Sequence, residues 1–560
     1  MASTVTGAYA GVPLARRAGF GTKRAVALAV LAATIVAGIG LGRQPLSWDE
    51  AVSVSAARHR LPDLAALLRH TDAPLGAYYL GLHGWLAFGR LLRLPPTEAW
   101  VRLPSLVAAV VAVGCTVAFA ARYVGAPAAA VAGVLLAVHP TFAFYAQDAR
   151  PYALATAATA GATLLYVRAL DRPVPRRLAG YAIVAVAAVY LHLFAALVLL
   201  AHAVVAVRRA RPAGRWLVTG SVVVVACAPL VVVSAGQTAE VSWIPPVTVG
   251  ATASVLDHLY GGPPVLAALL AVLVAALATR RAPALRRTPH LRHVRALRPH
   301  WPSRGRNRLV RPRSVWSSGW DRLVRTGSVW SSGWDRLVRT GSVWSSGWAV
   351  PIGVAVLPPA LLVLADLVRP VLVARYALVA LPATVVAVTG AAVRGGRVAR
   401  VALAVALVAA LGTTLVQQAR PYKYEDFRAA TDAVTDAARP GDGVVFLPLS
   451  SRVGYQAYVG RERDGVVPTD PLLWKDPVAA DRIGGREVAA AAVAARVHAA
   501  RRVFLYGTDL VAGAVGTGAA DAAKARAVAG YRVRWVRHFG LVSVALVVPP
   551  RNPSVTPICP

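Results

Sequence analysis

Cysteine is scarce in this sequence, with three in 560 residues. Cys115 and Cys227 lie inside apolar runs and Cys559 is next to last. No Cys-x-x-Cys or Cys/His spacing accompanies them, so there is no basis for a disulfide framework or a zinc–cysteine site. Charge is also sparse. Asp, Glu, Lys and Arg together make up 15% of the chain, against about 25% in an average soluble domain. With 57% hydrophobic residues and a mean hydropathy of +0.54, this excludes an ordinary cytosolic enzyme. Acidic residues are scarcer still, 25 against 61 Lys and Arg, for a formal charge of +36. In a soluble chain that excess would point to nucleic acid, but here the basic residues fall in short clusters between long apolar runs. That is a membrane-protein distribution, and it argues against nucleic-acid binding. Lysine is rare even among the bases, only Lys23, Lys423, Lys475 and Lys524, so the arginine and alanine excess reflects coding bias more than choice of partner.

What is present is a series of apolar stretches. A helix needs about 20 mostly apolar residues to cross the hydrocarbon core. Eleven stretches qualify, at about 25–42, 100–120, 126–144, 151–168, 178–193, 194–207, 216–235, 262–279, 349–366, 374–393 and 398–416. The run 178–207 reads either as one long tilted helix or as two short ones. Basic residues accumulate in cytoplasmic loops, and two helices keep that pattern while one inverts it. With eleven spans, the inside segments hold Arg16, Arg17, Lys23 and Arg24, then Arg122, then Arg168 to Arg177, Arg208 to Arg215, the Arg-rich 280–348 and Arg394 to Arg400. The first run exceeds the 7–15 residues of a signal-peptide core, so an uncleaved anchor is expected. The N-terminus, 1–24, is then cytoplasmic and the last segment extracytoplasmic.

Residues 420–560 change character. Glu425–Ala438 is amphipathic, a Pro-Gly-Asp-Gly turn follows at 440–443, and strand-like Val444–Leu447, Val503–Tyr506 and Leu541–Val548 alternate with the Ala-rich helix Glu487–Ala500. A small α/β domain is expected after a transmembrane domain at 25–419. Within the cytoplasmic insert 280–348, Ser-Val-Trp-Ser-Ser-Gly-Trp recurs at Ser314, Ser328 and Ser342 with a period of 14 through 348. Near-identical copies mean recent duplication. Arg alternating with Trp suits an anionic membrane surface, but a solvated insert explains it as well.

Ionisable residues near a membrane are expensive and therefore informative. The first outer loop, 43–99, carries Trp48-Asp49-Glu50 directly after the first span, then His70-Thr71-Asp72 and the aromatic-rich 78–85. Asp49 and Glu50 either do chemistry or are hydrated, with Asp49 an N-cap for 50–58. Between the third and fourth spans comes Gln147-Asp148-Ala149-Arg150-Pro151-Tyr152. Pro151 suits the first turn of a helix and Asp148 its cap. Arg150 sits at the wrong helix end for the dipole and on the wrong side for the basic-residue bias. It reads either as half of a phosphate site or as a salt bridge to Asp148 or the first loop. Arg375-Tyr376 opens the tenth span, where snorkelling offers a plain alternative, and His192 stands at the break within 178–207.

Taken in order, Trp48-Asp49-Glu50, His70 to Tyr79, Gln147 to Tyr152, Ser242-Trp243-Ile244-Pro245-Pro246, Arg375-Tyr376 and Tyr424 to Ala430 resemble the bacterial polyprenyl-phosphate-sugar-dependent glycosyltransferases of the GT-C fold, in the family 39 and mannosyltransferase-like branch. The resemblance departs where relatives carry Pro-Pro-Leu-Tyr-Tyr, since this chain reads Ala73-Pro74-Leu75-Gly76-Ala77-Tyr78-Tyr79. It implies a polytopic α-helical membrane protein of about 11 spans with an extracytoplasmic α/β domain. The implied activity is transfer of a sugar, mannose by resemblance, from a polyprenyl-phosphate donor to a glycan, lipid or protein acceptor at the outer face of a bacterial plasma membrane. In that picture Asp49 is the general base and Glu50 supports it. Arg150 and Arg375 hold the phosphate, while His70, Asp72, Gln147, Asp148, Tyr152, His192 and Tyr376 line the substrate site. If a divalent ion such as Mg or Mn takes part, Asp49, Glu50 and Asp72 are its candidate ligands. A catalytically inactive binding protein and a lipid or polysaccharide transporter are the competing classes, although a transporter predicts polar residues deep within several spans.

Overall fold

The structure, a computed structural model, describes residues 20–209, 212–237, 244–246, 248–285, 347–459, 466–508 and 519–550. The 14-residue repeats up to residue 346, Ser242-Trp243, Arg16 and Arg17 lie outside these residues.

Apolar composition and length set most of the helices. In chain order they are α1 (Phe20–Gly38), α2 (Trp48–Arg58), α3 (Leu61–His70), α4 (Gly76–Leu91), α5 (Glu98–Ala137), α6 (Pro140–Ala146), α7 (Tyr152–Asp171), α8 (Pro175–Leu191), α9 (Ala196–Arg209), α10 (Ala213–Ala235), α11 (Val249–Leu259), α12 (Pro263–Leu285), α13 (Ala349–Asp366), α14 (Leu381–Arg394) and α15 (Gly396–Ala419). Seven described helices are long and apolar enough to cross a membrane, or eight if α11 and α12, bent by 84°, count as one. All eleven expected stretches fall on described helices, two of them on α5 and two on the shorter α8 and α9. The stretches 100–120 and 126–144 begin as one 40-residue helix, α5, whose dihedrals break at Gly125 (φ 78°, ψ 166°), two residues before Pro127. Glycine tolerates that conformation, and proline supplies no N–H to continue the ladder. The run 178–207 does divide, into α8 of 17 residues and α9 of 14, at an extended His192 (φ −160°, ψ 118°). Each half falls short of a full crossing length.

Alanine and glycine let these helices approach closely. Ala29 of α1, Ala112 and Val113 of the first half of α5 and Ala129 and Ala132 of its second half share one buried core. A Cβ built on Gly133 would stand 2.7 Å from the Ala29 methyl and closer still to the Val117 side chain. Gly133→Val is therefore expected to lower stability by about 1–3 kcal/mol, the usual range for overpacking, read as a lower midpoint of thermal unfolding in detergent. An unchanged midpoint would mean that this contact relaxes without cost.

Helix ends that break inside the bundle leave orphan carbonyls, and three glutamines answer them. Gln147 Nε2 donates to the carbonyls of Ala37 and Ile39, Gln418 Nε2 to Val36, and Gln44 Nε2 to Gln417 and Arg420. The ends of α1 and α15 are thereby tied to the turn before α7.

After α15 the chain forms the α/β unit: α16 (Phe427–Ala437), β1 (Gly443–Phe446), α17 (Ser451–Tyr458), β2 (Leu473–Lys475), β3 (Arg486–Glu487), α18 (Ala490–His498), β4 (Val503–Gly507), α19 (Ala519–Ala527), β5 (Arg532–Phe539) and β6 (Val542–Val548). Its main sheet has the order β1-β4-β6-β5, with β1 parallel to β4 and the other pairs antiparallel. The unit does not stand apart from the rest. Leu46, Val52, Leu64 and Tyr79 of the first loop share one hydrophobic cluster with Phe427, Phe446, Phe504 and Val544, so α2 is held between the helical bundle and the α/β unit.

Candidate active site

The α2 helix begins at a capping box. Ser47 is its N-cap, the Ser47 side chain accepts from the Glu50 N–H, and the Glu50 carboxylate accepts from the Ser47 N–H. The Ser-x-x-Glu pattern at 47–50 is the sequence signature of that arrangement, and it makes Ser47 the cap in place of Asp49. Two consequences follow from one turn of helix: Glu50 points inward, and Asp49 points away from it.

Glu50 is fully buried. Its Oε1 accepts from Arg102 Nε at 2.7 Å and from the Ala149 N–H at 2.9 Å, and its Oε2 accepts from Arg102 Nη2 at 2.8 Å. Lys423 Nζ lies 3.3 Å from Oε2. Burial raises the pKa of this carboxyl, but the charges of Arg102 and Lys423 and the hydrogen bonds from Arg102 and Ser47 outweigh it and hold Glu50 well below the usual carboxylate range. Arg102 spends its remaining donors on the carbonyls of Leu41, Gln44 and Pro45, so all five N–H groups of its fork are used. The expected roles of Glu50 as a catalytic group or metal ligand are corrected on this geometry, because its oxygens are already occupied and it faces the protein interior.

Asp49 lies on the wall of a cavity of about 760 Å³ between the bundle and the α/β unit. Arg150 Nη2 stands 3.5 Å from Asp49 Oδ1 and Arg375 Nη1 stands 3.8 Å from Oδ2. Arg150 also donates through Nη1 to Ser53 Oγ at 3.2 Å and to the Asp49 carbonyl. Its salt bridge is thus to the first loop and not to Asp148. The Arg375 guanidinium lies over the rings of Tyr152 and Tyr376, 5.9 and 5.8 Å from their centroids. Tyr376 stacks on Phe194 at 4.6 Å, with His192 beside it at 5.2 Å. Arg150 Nε and His192 Nδ1 are buried without a hydrogen-bond partner among the described residues. Buried donors are rarely left so, and both residues line the cavity.

Asp72 lines the same cavity. It adopts a left-handed conformation (φ 57°) and accepts a hydrogen bond from Tyr79 Oη at 2.7 Å. Gln237 secures this turn by accepting from the Ala73 N–H and donating to the Leu68 carbonyl. From the α/β unit, Ser450, Arg482 and Asp521 close the far side. The Trp48 indole, also on the wall, donates to the Ser450 carbonyl at 3.0 Å.

The structure thus gathers Asp49, Asp72, Arg150, Tyr152, His192, Arg375 and Tyr376 around one cavity. Besides Glu50, three expected site residues are elsewhere. His70 is exposed at the end of α3 and does not line the cavity. Gln147 is engaged with the end of α1, and Asp148 accepts from Lys423 Nζ at 2.7 Å behind the cavity wall instead of capping α7. Burial raises the Asp148 carboxyl above its usual range, the Lys423 charge opposing this and the Glu50 charge adding to it. The proposed metal set does not converge either. Glu50 is committed to Arg102, Asp72 to Tyr79, and Asp49 faces two guanidiniums. Among the described residues no three His, Cys, Asp or Glu side chains come together as a metal-holding group.

Arg102 and Lys423 are the residues that sequence reasoning passed over. Each carried a signal: Arg102 is a charge inside an apolar run, and Lys423 is one of four lysines in the chain.

Comparison with known proteins adds the following. Residues 82–236 match the family model described as dolichyl-phosphate-mannose-protein mannosyltransferase, a segment that includes Arg150, Tyr152 and His192. Two solved structures of ArnT from Cupriavidus metallidurans are similar to this chain. The one bound to undecaprenyl phosphate has a TM-score of 0.42 at 13% identity, and the apo one 0.43 at 14%. Each alignment covers 93% of this chain and 97% of the other. No curated protein matches the chain.

Proposed function

We propose that this chain is an integral-membrane glycosyltransferase that moves a sugar, mannose, from a polyprenyl-phosphate donor to an acceptor hydroxyl. The observation that carries the reading is one carboxylate and two guanidiniums, brought from residues 49, 150 and 375 to the wall of one cavity. The family match over residues 82–236 supports it.

The chemistry follows from the groups present. Asp49 accepts the acceptor's proton while the acceptor oxygen bonds to the anomeric carbon, and a positioned base of this kind contributes about 10²–10⁴-fold. As the bond from the anomeric carbon to the phosphate oxygen breaks, with inversion, negative charge grows on the phosphate. Arg150 and Arg375 are placed to stabilise that charge, and arginine forks suit phosphate oxygens. Tyr152, Tyr376 and Phe194 offer ring faces to the sugar, and Asp72, oriented by Tyr79, is a second acceptor for its hydroxyls. The cluster of basic residues at the opposite loops supports an extracytoplasmic cavity.

The test is transfer in membranes given radiolabelled polyprenyl-phosphate-mannose. Label reaching a glycan, lipid or protein acceptor is the expected outcome. Transfer only from a different polyprenyl-phosphate sugar would replace mannose, and no transfer from any such donor would overturn the reading. Tags accessible from outside the cell in the 43–99 loop and after residue 420 are expected from the same topology, and protection of both would reverse it.

A further inference from the structure

We propose that Lys423 is a positioning residue for the transfer reaction, locking the helix that bears Asp49 and the turn that bears Arg150 into one register. The proposal rests on the glycosyltransferase reading above and assigns the α/β segment a part in it.

Lys423 lies four residues beyond the end of α15, where the chain enters the α/β unit. Its side chain is 2% exposed. The ammonium donates to Asp148 Oδ1 at 2.7 Å and to the Gln147 carbonyl at 2.8 Å, and forms an ion pair with Glu50 Oε2 at 3.3 Å. Its Nζ also lies 4.9 Å from the centre of the Phe144 ring. Glu50 is the neighbour of Asp49, and Asp148 stands two residues before Arg150. One cation therefore bridges two segments about a hundred positions apart, each delivering a group to the cavity.

Sequence adjacency converts that bridge into site geometry. Glu50 and Asp49 share the first turn of α2, so a shift of Glu50 carries Asp49 with it. The Ala149 N–H bonds to Glu50 and the Arg150 N–H bonds to the Asp148 carbonyl, so the turn 147–150 moves as a unit. With the lysine neutral, two buried carboxylates, Glu50 and Asp148, face each other with only Arg102 left to compensate, and repulsion separates the α2 end from the turn. A displacement near 1 Å at groups that must meet a substrate together costs about a hundredfold in rate. Arg102 does not duplicate this role, since its other hydrogen bonds run to residues 41–45 and none to the 147–150 turn.

The experiment compares wild type, Lys423→Met, Lys423→Arg and the double variant Lys423→Met/Asp148→Asn, each as the full chain in detergent or membranes. Three quantities are read: kcat and KM for labelled sugar transfer, the dissociation constant for polyprenyl phosphate, and the thermal midpoint. Lys423→Met is expected to lower kcat/KM by about a hundredfold, through kcat as well as KM, and to weaken polyprenyl-phosphate binding about tenfold. Lys423→Arg, which keeps the charge, is expected to recover most of the activity. The double variant removes the buried charge imbalance and is expected to recover the midpoint but not kcat, because the lysine bridge that adds to the Ala149–Glu50 bond between α2 and the turn is still absent. Full recovery of kcat in the double variant would overturn the proposal, since Lys423 would then only neutralise a buried acid. Wild-type activity in Lys423→Met would also overturn it. Wild type that neither transfers sugar nor binds polyprenyl phosphate would instead remove the glycosyltransferase reading, and this inference with it.

Discussion

Replacing Asp49 by Asn is expected to reduce kcat for sugar transfer by about a thousandfold, in the middle of the range for loss of a general base. The substitution keeps the shape of the side chain and removes only the group that takes the proton. Binding should respond in the opposite sense. Asp49 stands 3.5 Å from Arg150 and 3.8 Å from Arg375, so in the free protein its charge competes with a phosphate for both guanidiniums. Without that charge, polyprenyl phosphate is expected to bind as tightly as to wild type or more tightly. Parallel measurement of transfer and of polyprenyl-phosphate binding checks both signs. Equal transfer by a normally expressed Asp49→Asn variant would exclude Asp49 as the base. A joint loss of binding and transfer would mean that Asp49 holds the arginines in place and takes no proton.

The second large effect concerns stability. Arg102→Met leaves Glu50, buried and charged, without its bidentate partner, and strips the carbonyls of Leu41, Gln44 and Pro45 of their donors. Breaking a buried pair from one side costs about 3–5 kcal/mol, enough to lower the thermal midpoint and expression together. The pH dependence has a definite sign. In wild type the Glu50 carboxyl is held below its ordinary range despite burial, mainly by the Arg102 and Lys423 charges. Its contribution is therefore present at neutral pH and is lost only as pH falls through strongly acid values. In the variant burial dominates, the carboxyl moves up, and the folded state gains by taking a proton. The stability deficit relative to wild type should accordingly shrink as pH is lowered from neutral toward the carboxylate range. A deficit independent of pH would show that the lost carbonyl contacts, and not the Glu50 charge, account for the effect. Arg102→Met/Glu50→Gln, which neutralises both partners, is expected to recover part of the loss, because the uncompensated charge is gone.

Arg150 illustrates how far sequence reasoning reaches at this site. Its position violates the helix dipole and the basic-residue bias at once, which marks it as a residue held by a partner. The partner proves to be Asp49, about a hundred residues away. Glu50 shows the opposite case. Adjacent to Asp49 and identical in charge type, it groups with Asp49 on composition, and the structure gives it the capping role instead. Helical rotation sends neighbouring side chains in different directions, so Asp49 reaches the cavity while Glu50 turns to Arg102.

The apolar stretches, their breaks at Gly125 and His192 and the α/β alternation after residue 420 were determined by the sequence alone. Each depends on local physics: the length of chain needed to cross hydrocarbon, the dihedral freedom of glycine and the periodicity of strand and helix. Which stretches reach full crossing length, and which charged side chains face the cavity, only the tertiary structure decided. The division of labour among Asp49, Glu50, Asp148, Arg102 and Lys423 rests on contacts between segments up to several hundred residues apart. Burial and Coulomb energy at such contacts depend on distance in space, for which separation along the chain carries no information.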